Sequence, residues 1–164
     1  MTPQPAELAE RFLDACKARG ILVATAESCT GGLIIALLTD LPGSSSMVDR
    51  GFVTYSNEAK QDMLGVRTET LDLHGAVSRE TALEMAAGAL ANSRASIALS
   101  VTGIAGPDGG SAEKPVGLVW FGLALAGKEP VAEKRLFDNR GRDYVRRQSV
   151  QTALEMGLAA LAGD

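Results

Sequence analysis

Apolar side chains recur along this chain in two alternating rhythms. Between Ala6 and Arg19, Leu8, Phe12, Leu13 and Cys16 fall near helical spacing, and Gly20 stops the run. Ile21 to Ala26 reads as a buried strand. Gly31-Gly32 leads into a second helix from Leu33 to Thr39, ended by Asp40-Leu41-Pro42-Gly43. Ser44 to Asp49 carries no clear rhythm, and Gly51 to Tyr55 reads as another strand. Ser56-Asn57 can cap a helix containing Lys60 and Met63. Thr68 to His74 predicts a short helix, and Ser78 to Asn92 a longer one with Ser78 as its cap. Ile97 to Thr102 is a strand running into the glycine-rich loop Gly103 to Gly110. Val116 to Ala126 and Val131 to Phe137 predict a hairpin, and Asp143 to Leu161 a long amphipathic helix.

Helices alternate with strands at first, and then two strands arrive in succession. That order predicts an α/β fold, a three-layer α/β/α sandwich with a mixed sheet. No repeat, low-complexity tract or linker breaks the pattern, so residues 1–164 are expected to form a single domain. A chain of 164 residues can bury a core without crosslinks.

Composition narrows the function. The net charge of -4 and pI near 5.1 argue against a general nucleic-acid binder. Basic residues do gather between Arg135 and Arg147, where Arg140, Arg142, Arg146 and Arg147 flank or open the last helix as a candidate anion site. Cys16 and Cys29 have no metal-ligand spacing, and His74 is the sole histidine, so neither a metal nor a cofactor is expected. The polar, acidic start of the chain does not read as a signal peptide, and no apolar run reaches membrane-spanning length. The expectation is a soluble, cytoplasmic protein with a small-molecule substrate and no nucleic-acid or membrane partner.

Three polar loops follow strands: Glu27 to Gly32, Tyr55 to Lys60 and Thr102 to Lys114. In layered α/β domains ligands collect beyond strand ends, so these loops are expected to converge. The first, Glu27-Ser28-Cys29-Thr30-Gly31-Gly32, offers backbone N–H groups at a helix start, and its glycines admit an anion. It matches neither a Walker motif nor a nucleophile elbow. Its alternative reading is a plain helix start capped by Ser28 or Thr30. Glu27 is placed to accept hydrogen bonds from an amide or from ribose hydroxyls.

His74, at the end of its predicted helix before Gly75, reads as a residue that stabilises the helix dipole, so a lysine is the available general base. Lys60 lies in the first turn of its predicted helix, where the helix dipole disfavours a cation, and Tyr55 at the preceding strand end can relay a proton. Ser111-Ala112-Glu113-Lys114 matches the SxxK pattern, but Pro115 and Gly109-Gly110 leave no helix to bring the pair together. Among other serines, Ser45 sits freely in a loop, and Ser56 has good spacing to Lys60 but is also the natural helix cap. Residue chemistry alone leaves both open as nucleophiles.

Seven stretches together resemble the CinA C-terminal domain family, the nicotinamide-nucleotide amidases. They are Thr25–Gly32, Pro42–Ser45, Arg50–Lys60, His74–Ser78, Thr102–Gly110, Glu113–Gly117 and Arg142–Gln148, which cover nearly the whole chain in order. Longer members carry a further N-terminal domain, whose activities are not expected of this sequence. The resemblance implies hydrolysis of nicotinamide mononucleotide to nicotinate mononucleotide and ammonia by a serine–lysine pair without metal. It places the nucleophile at Ser45 and the base at Lys60, with Tyr55 and Thr102 assisting. Glu27, Ser28, Thr30, Gly31, Gly32, Gly103 and Arg142 make up the expected substrate-binding set, and a homo-oligomer is expected. The alternative is a pyridine-nucleotide-binding or regulatory domain that needs neither Ser45 nor Lys60.

Overall fold

Pro5 opens the first helix, α1 (Pro5–Arg19), where a missing N–H costs nothing. Gly20 closes it in the left-handed conformation at φ 64°, its N–H on the carbonyls of Cys16 and Lys17. The computed structural model describes residues 3–163; residues 1, 2 and 164, which the single-domain reading also takes in, lie outside the described residues. The chain continues through β1 (Val23–Glu27), α2 (Leu33–Thr39), a 3₁₀ turn (Ser44–Ser46) and β2 (Val48–Val53). Three helices follow, α3 (Asn57–Leu64), α4 (Thr68–His74) and α5 (Arg79–Ala91). The hairpin-bearing half comprises β3 (Ile97–Gly103), β4 (Leu118–Leu125), β5 (Val131–Leu136) and α6 (Arg142–Ala162).

The strands form one mixed sheet in the order β2-β1-β3-β4-β5, with β2, β1 and β3 parallel and β4 and β5 antiparallel. Alternation along the strands divides the interior into two layers. Val23, Ile97, Leu99, Val101 and Phe121 face α1, α2 and α6, packing on Phe12, Leu13, Ile34 and Leu154. Ala24, Ala26, Ala98 and Ala124 face the other way, toward Leu64, Met85 and Ala86 of α3 and α5. Small side chains on this second face let α5 lie close. A Cβ on Gly122 would come within 2.3 Å of both the Ala82 carbonyl oxygen and Ser100 Oγ.

The α/β expectation and its mixed sheet hold, with shifts at boundaries. The first strand starts at Val23 and not Ile21, because the Ile21 N–H still closes α1 on the Cys16 carbonyl. The segment without rhythm, Ser44 to Asp49, divides into a 3₁₀ turn and the start of β2, and Tyr55 lies beyond the strand. Ser56 and Ser78 cap their helices as expected, accepting the Ala59 and Thr81 N–H groups at 3.0 and 3.1 Å. Among the described residues no helix is long and apolar enough to cross a membrane.

From β1 the chain passes outward to β2, then returns across β1 to β3. The helices that follow β1 and β2 therefore leave on opposite faces, and a crevice opens beyond the ends of β1 and β3.

Candidate active site

A cavity of about 270 Å³ occupies that crevice, lined by Ser28, Tyr55, Asn57, Lys60, Thr102 and Arg142 among others. Lys60 is its deepest charged group, only 1% exposed. Its Cβ leaves the first turn of α3, and helical side chains lean toward the N-terminus. The Nζ thereby reaches back to the strand end, at 2.9 Å from the Thr54 carbonyl and 3.3 Å from that of Tyr55. The third contact is Ser28 Oγ, at 2.8 Å. Burial pushes the Lys60 amine down from 10.5 to about 8, with the nearby Cys29 thiol opposing the shift.

The serine that meets this amine is Ser28, which corrects the assignment of Ser45. Ser45 precedes β2 at the sheet end where Val23 pairs with Val48, whereas Ser28 follows Glu27 at the end where Glu27 pairs with Val53. The length of β1 separates the two ends, about 13 Å at 3.3 Å per residue. Ser45 is exposed, and it is absent from the lining of the Ser28 cavity. Ser56 is occupied as the cap of α3. Lys114 donates to the His74 carbonyl, outside any helix, so the SxxK match has no structural counterpart.

Glu27 is also corrected. Its side chain is fully buried on the α2 side of the sheet, away from the cavity lining. Its Oε1 accepts the Thr30 hydroxyl at 2.7 Å and the Ile34 N–H at 2.9 Å. Its Oε2 accepts the Ile35 N–H at 3.0 Å and, more weakly, the Thr25 hydroxyl at 3.4 Å. The negative group at this helix N-terminus is thus the protein's own carboxyl, delivered by the preceding strand. Thr30, Gly31 and Gly32 shape that turn and are absent from the cavity lining. Neither Ser28 nor Thr30 is the N-cap; that residue is Gly32, at φ 104°.

Arg142 opens α6 and lines the cavity mouth, donating to Tyr55 Oη at 3.1 Å and to the Gly106 carbonyl at 2.9 Å. Arg146 instead holds the carbonyls of Cys29 and Thr30, Arg147 pairs with Asp143 and Arg140 lies over the Tyr144 ring, so the predicted arginine cluster divides among four tasks. The Thr102 hydroxyl donates to the Ala76 carbonyl at 2.8 Å. Gly103 must be glycine, since a Cβ would lie 2.6 Å from Val119 Cγ2. Asn57, Ala76, Val77 and Ala105 line the cavity too and were not singled out by sequence. Asn57 carried a signal, standing three residues before Lys60 on the same helix face. Among the described residues no three His, Cys, Asp or Glu side chains gather as a metal site.

The sequence model of the CinA C-terminal domain matches residues 5–161. The chain belongs to that family. It is 56% identical over 149 residues to nicotinamide-nucleotide amidohydrolase PncC of Escherichia coli strain K12, covering 91% of this chain and 90% of that one. The PncC protein of Enterobacter agglomerans is 53% identical over 152 residues, covering 93% and 92%. The crystal structure of competence/damage inducible protein CihA from Agrobacterium tumefaciens superposes with a TM-score of 0.93 at 54% identity over 99% of both chains. Within this CinA domain, Thr25–Gly32 and Arg50–Lys60 supply the two halves of the Ser28–Lys60 contact.

Proposed function

We propose that this protein hydrolyses the carboxamide of nicotinamide mononucleotide to nicotinate mononucleotide and ammonia, with Ser28 as nucleophile and Lys60 as its base. The observation that carries the pair is the set of three partners around Lys60 Nζ. A neutral amine has two N–H donors and one lone pair. Two carbonyls accept the donors, and the lone pair then faces the Ser28 hydroxyl. Membership in the family, with two close relatives named for this activity, supports the substrate.

Neutral Lys60 removes the Ser28 proton as Oγ adds to the carboxamide carbon. With the Thr102 hydroxyl donated to Ala76, backbone N–H groups are the better oxyanion donors. Ile104 N–H bonds the Leu118 carbonyl, and hydrogen-bonded pairs alternate along an antiparallel ladder. Gly103 therefore faces Val119 as a non-bonded pair and turns its N–H toward the crevice. The ammonium of Lys60 then protonates the leaving nitrogen, ammonia departs, and the nicotinoyl group remains esterified to Ser28. Lys60 next deprotonates a water that attacks this ester, returning the proton to Ser28 as nicotinate mononucleotide leaves. Arg142, held at the mouth by Tyr55 and the Gly106 carbonyl, supplies a positive group beside the bound substrate.

Ammonia release from nicotinamide mononucleotide tests the assignment. Ser28→Ala is expected to lose about a thousandfold or more in kcat, as removal of a serine nucleophile does elsewhere. Ser45→Ala is expected to retain wild-type turnover. The reverse pattern would return the nucleophile to Ser45.

A further inference from the structure

A second cavity of about 430 Å³ adjoins the first and shares Val77 with it. Sheet register explains the adjacency. Glu27 pairs with Val53 and Val101, Thr102 with Trp120, and Trp120 with Lys134. One residue beyond β1, Ser28 thus begins a row that runs across the sheet through Thr102 and Trp120 to Lys134, on the face toward α5. At a strand spacing of about 4.8 Å, Trp120 lies about 10 Å and Lys134 about 14 Å from Ser28. Ser28 and Thr102 line the first cavity, and Trp120 and Lys134 line the second.

Three cations from three separate segments border this second cavity: Arg79 at the start of α5, Lys114 in the loop before β4, and Lys134 on β5. Lys134 Nζ lies 5.8 Å from the Trp120 ring centre. Two acids are also present. Glu80 is turned to His74, its Oε2 3.6 Å from Nδ1, and Glu113 is exposed. The partition between the cavities is the segment His74 to Val77, pinned from both sides. Lys114 donates to the His74 carbonyl and Thr102 to that of Ala76, while the hydroxyls of Ser78 and Thr81 hold Gly75. Two stretches of family resemblance that the amide chemistry leaves unused, His74–Ser78 and Glu113–Gly117, meet here.

We propose that this second cavity is a phosphate site, taking the phosphate of a nucleotide on Arg79, Lys114 and Lys134 beside the Trp120 ring. The turn after β1 is closed to a phosphate by Glu27, so the nearest group of several cations along the sheet face is this one. Two sources share the chemistry: the substrate's own phosphate, reaching across the partition, or a separate nucleotide acting on it. Only the first source rests on the amidase reading.

Trp120 is the sole tryptophan, so its emission reports the cavity directly. Titration with inorganic pyrophosphate is expected to give a saturable change in the wild type and in Ser28→Ala. In the double variant Arg79→Gln, Lys134→Gln the apparent affinity is expected to fall about tenfold or more, the worth of one charge-assisted contact. A flat wild-type titration, or an undiminished one in the double variant, overturns the site. Absent ammonia release with an intact titration would instead remove the amidase reading and leave this one standing. A KM for nicotinamide mononucleotide that rises more than that for nicotinamide riboside in the double variant assigns the site to the substrate's phosphate. Pyrophosphate that alters turnover without competing with the mononucleotide assigns it to a separate ligand.

Discussion

A lysine buried to 1% exposure carries a cost whenever it is charged, and that cost is what fits Lys60 to the proposed role of base. With its amine at about 8, roughly one molecule in ten is neutral at pH 7. The rate of ammonia release is therefore expected to climb about tenfold per pH unit below that value and level off above it, as read from a kcat profile between pH 6 and 9.5. Stability follows the same proton. The unfolded amine titrates at 10.5 and the folded one at about 8, so between these values the unfolded state binds more protons and stability rises with pH. Measured by urea unfolding, the wild type is expected to gain about 1 kcal/mol relative to Lys60→Met from pH 8 to 9, a difference in which the cysteines cancel. From about pH 8 upward the cysteines act in the other sense in both proteins, because burial raises both thiols from 9.0 to about 12 and the folded state then holds the extra proton.

At the scale of elements, α2 has seven residues, too few to persist on intrinsic propensity. Its first turn is anchored by Glu27, whose oxygens take the N–H groups of Ile34 and Ile35. Glu27→Ala leaves those donors and the Thr30 hydroxyl unpartnered, Ile34 and Thr30 in buried positions. The expected loss is about 2–4 kcal/mol in the midpoint-derived unfolding free energy. Sequence rhythm made α1, α5 and α6 legible, because each buries one face with a regular period, whereas the hairpin was legible from its turn and its β4 run, β5 being largely exposed. The Ser44–Asp49 turn was not legible, since its conformation depends on the strand it enters. The site was half legible for the same reason. Lys60 announces itself through its place in a helix turn, but its partner is 32 residues away and is fixed by the β1–β2 register. Glu27 misled because a carboxyl beside a glycine turn looks the same in sequence whether it faces the ligand or the helix behind it.

For the whole molecule, the reversal of strand order around β1 decides where everything else can be. It opens one crevice, it sends α2 and α3 to opposite faces, and it brings the ends of β1, β2 and β3 within reach of α6 through Arg142. The two free thiols happen to sample the two parts of this arrangement separately. Cys16 lies in the α1 core layer at 0% exposure, and Cys29 lies beside Ser28 at 6%. A thiol-directed dye can modify either one only when the surrounding segment opens, so each labelling rate is a clock for a different local motion. Nicotinamide mononucleotide is expected to slow modification at Cys29 while leaving Cys16 unchanged, as followed by mass spectrometry of the two peptides. Two cysteines that form no disulfide would then act as a built-in pair of timers, one set on the proposed catalytic turn and the other on the scaffold.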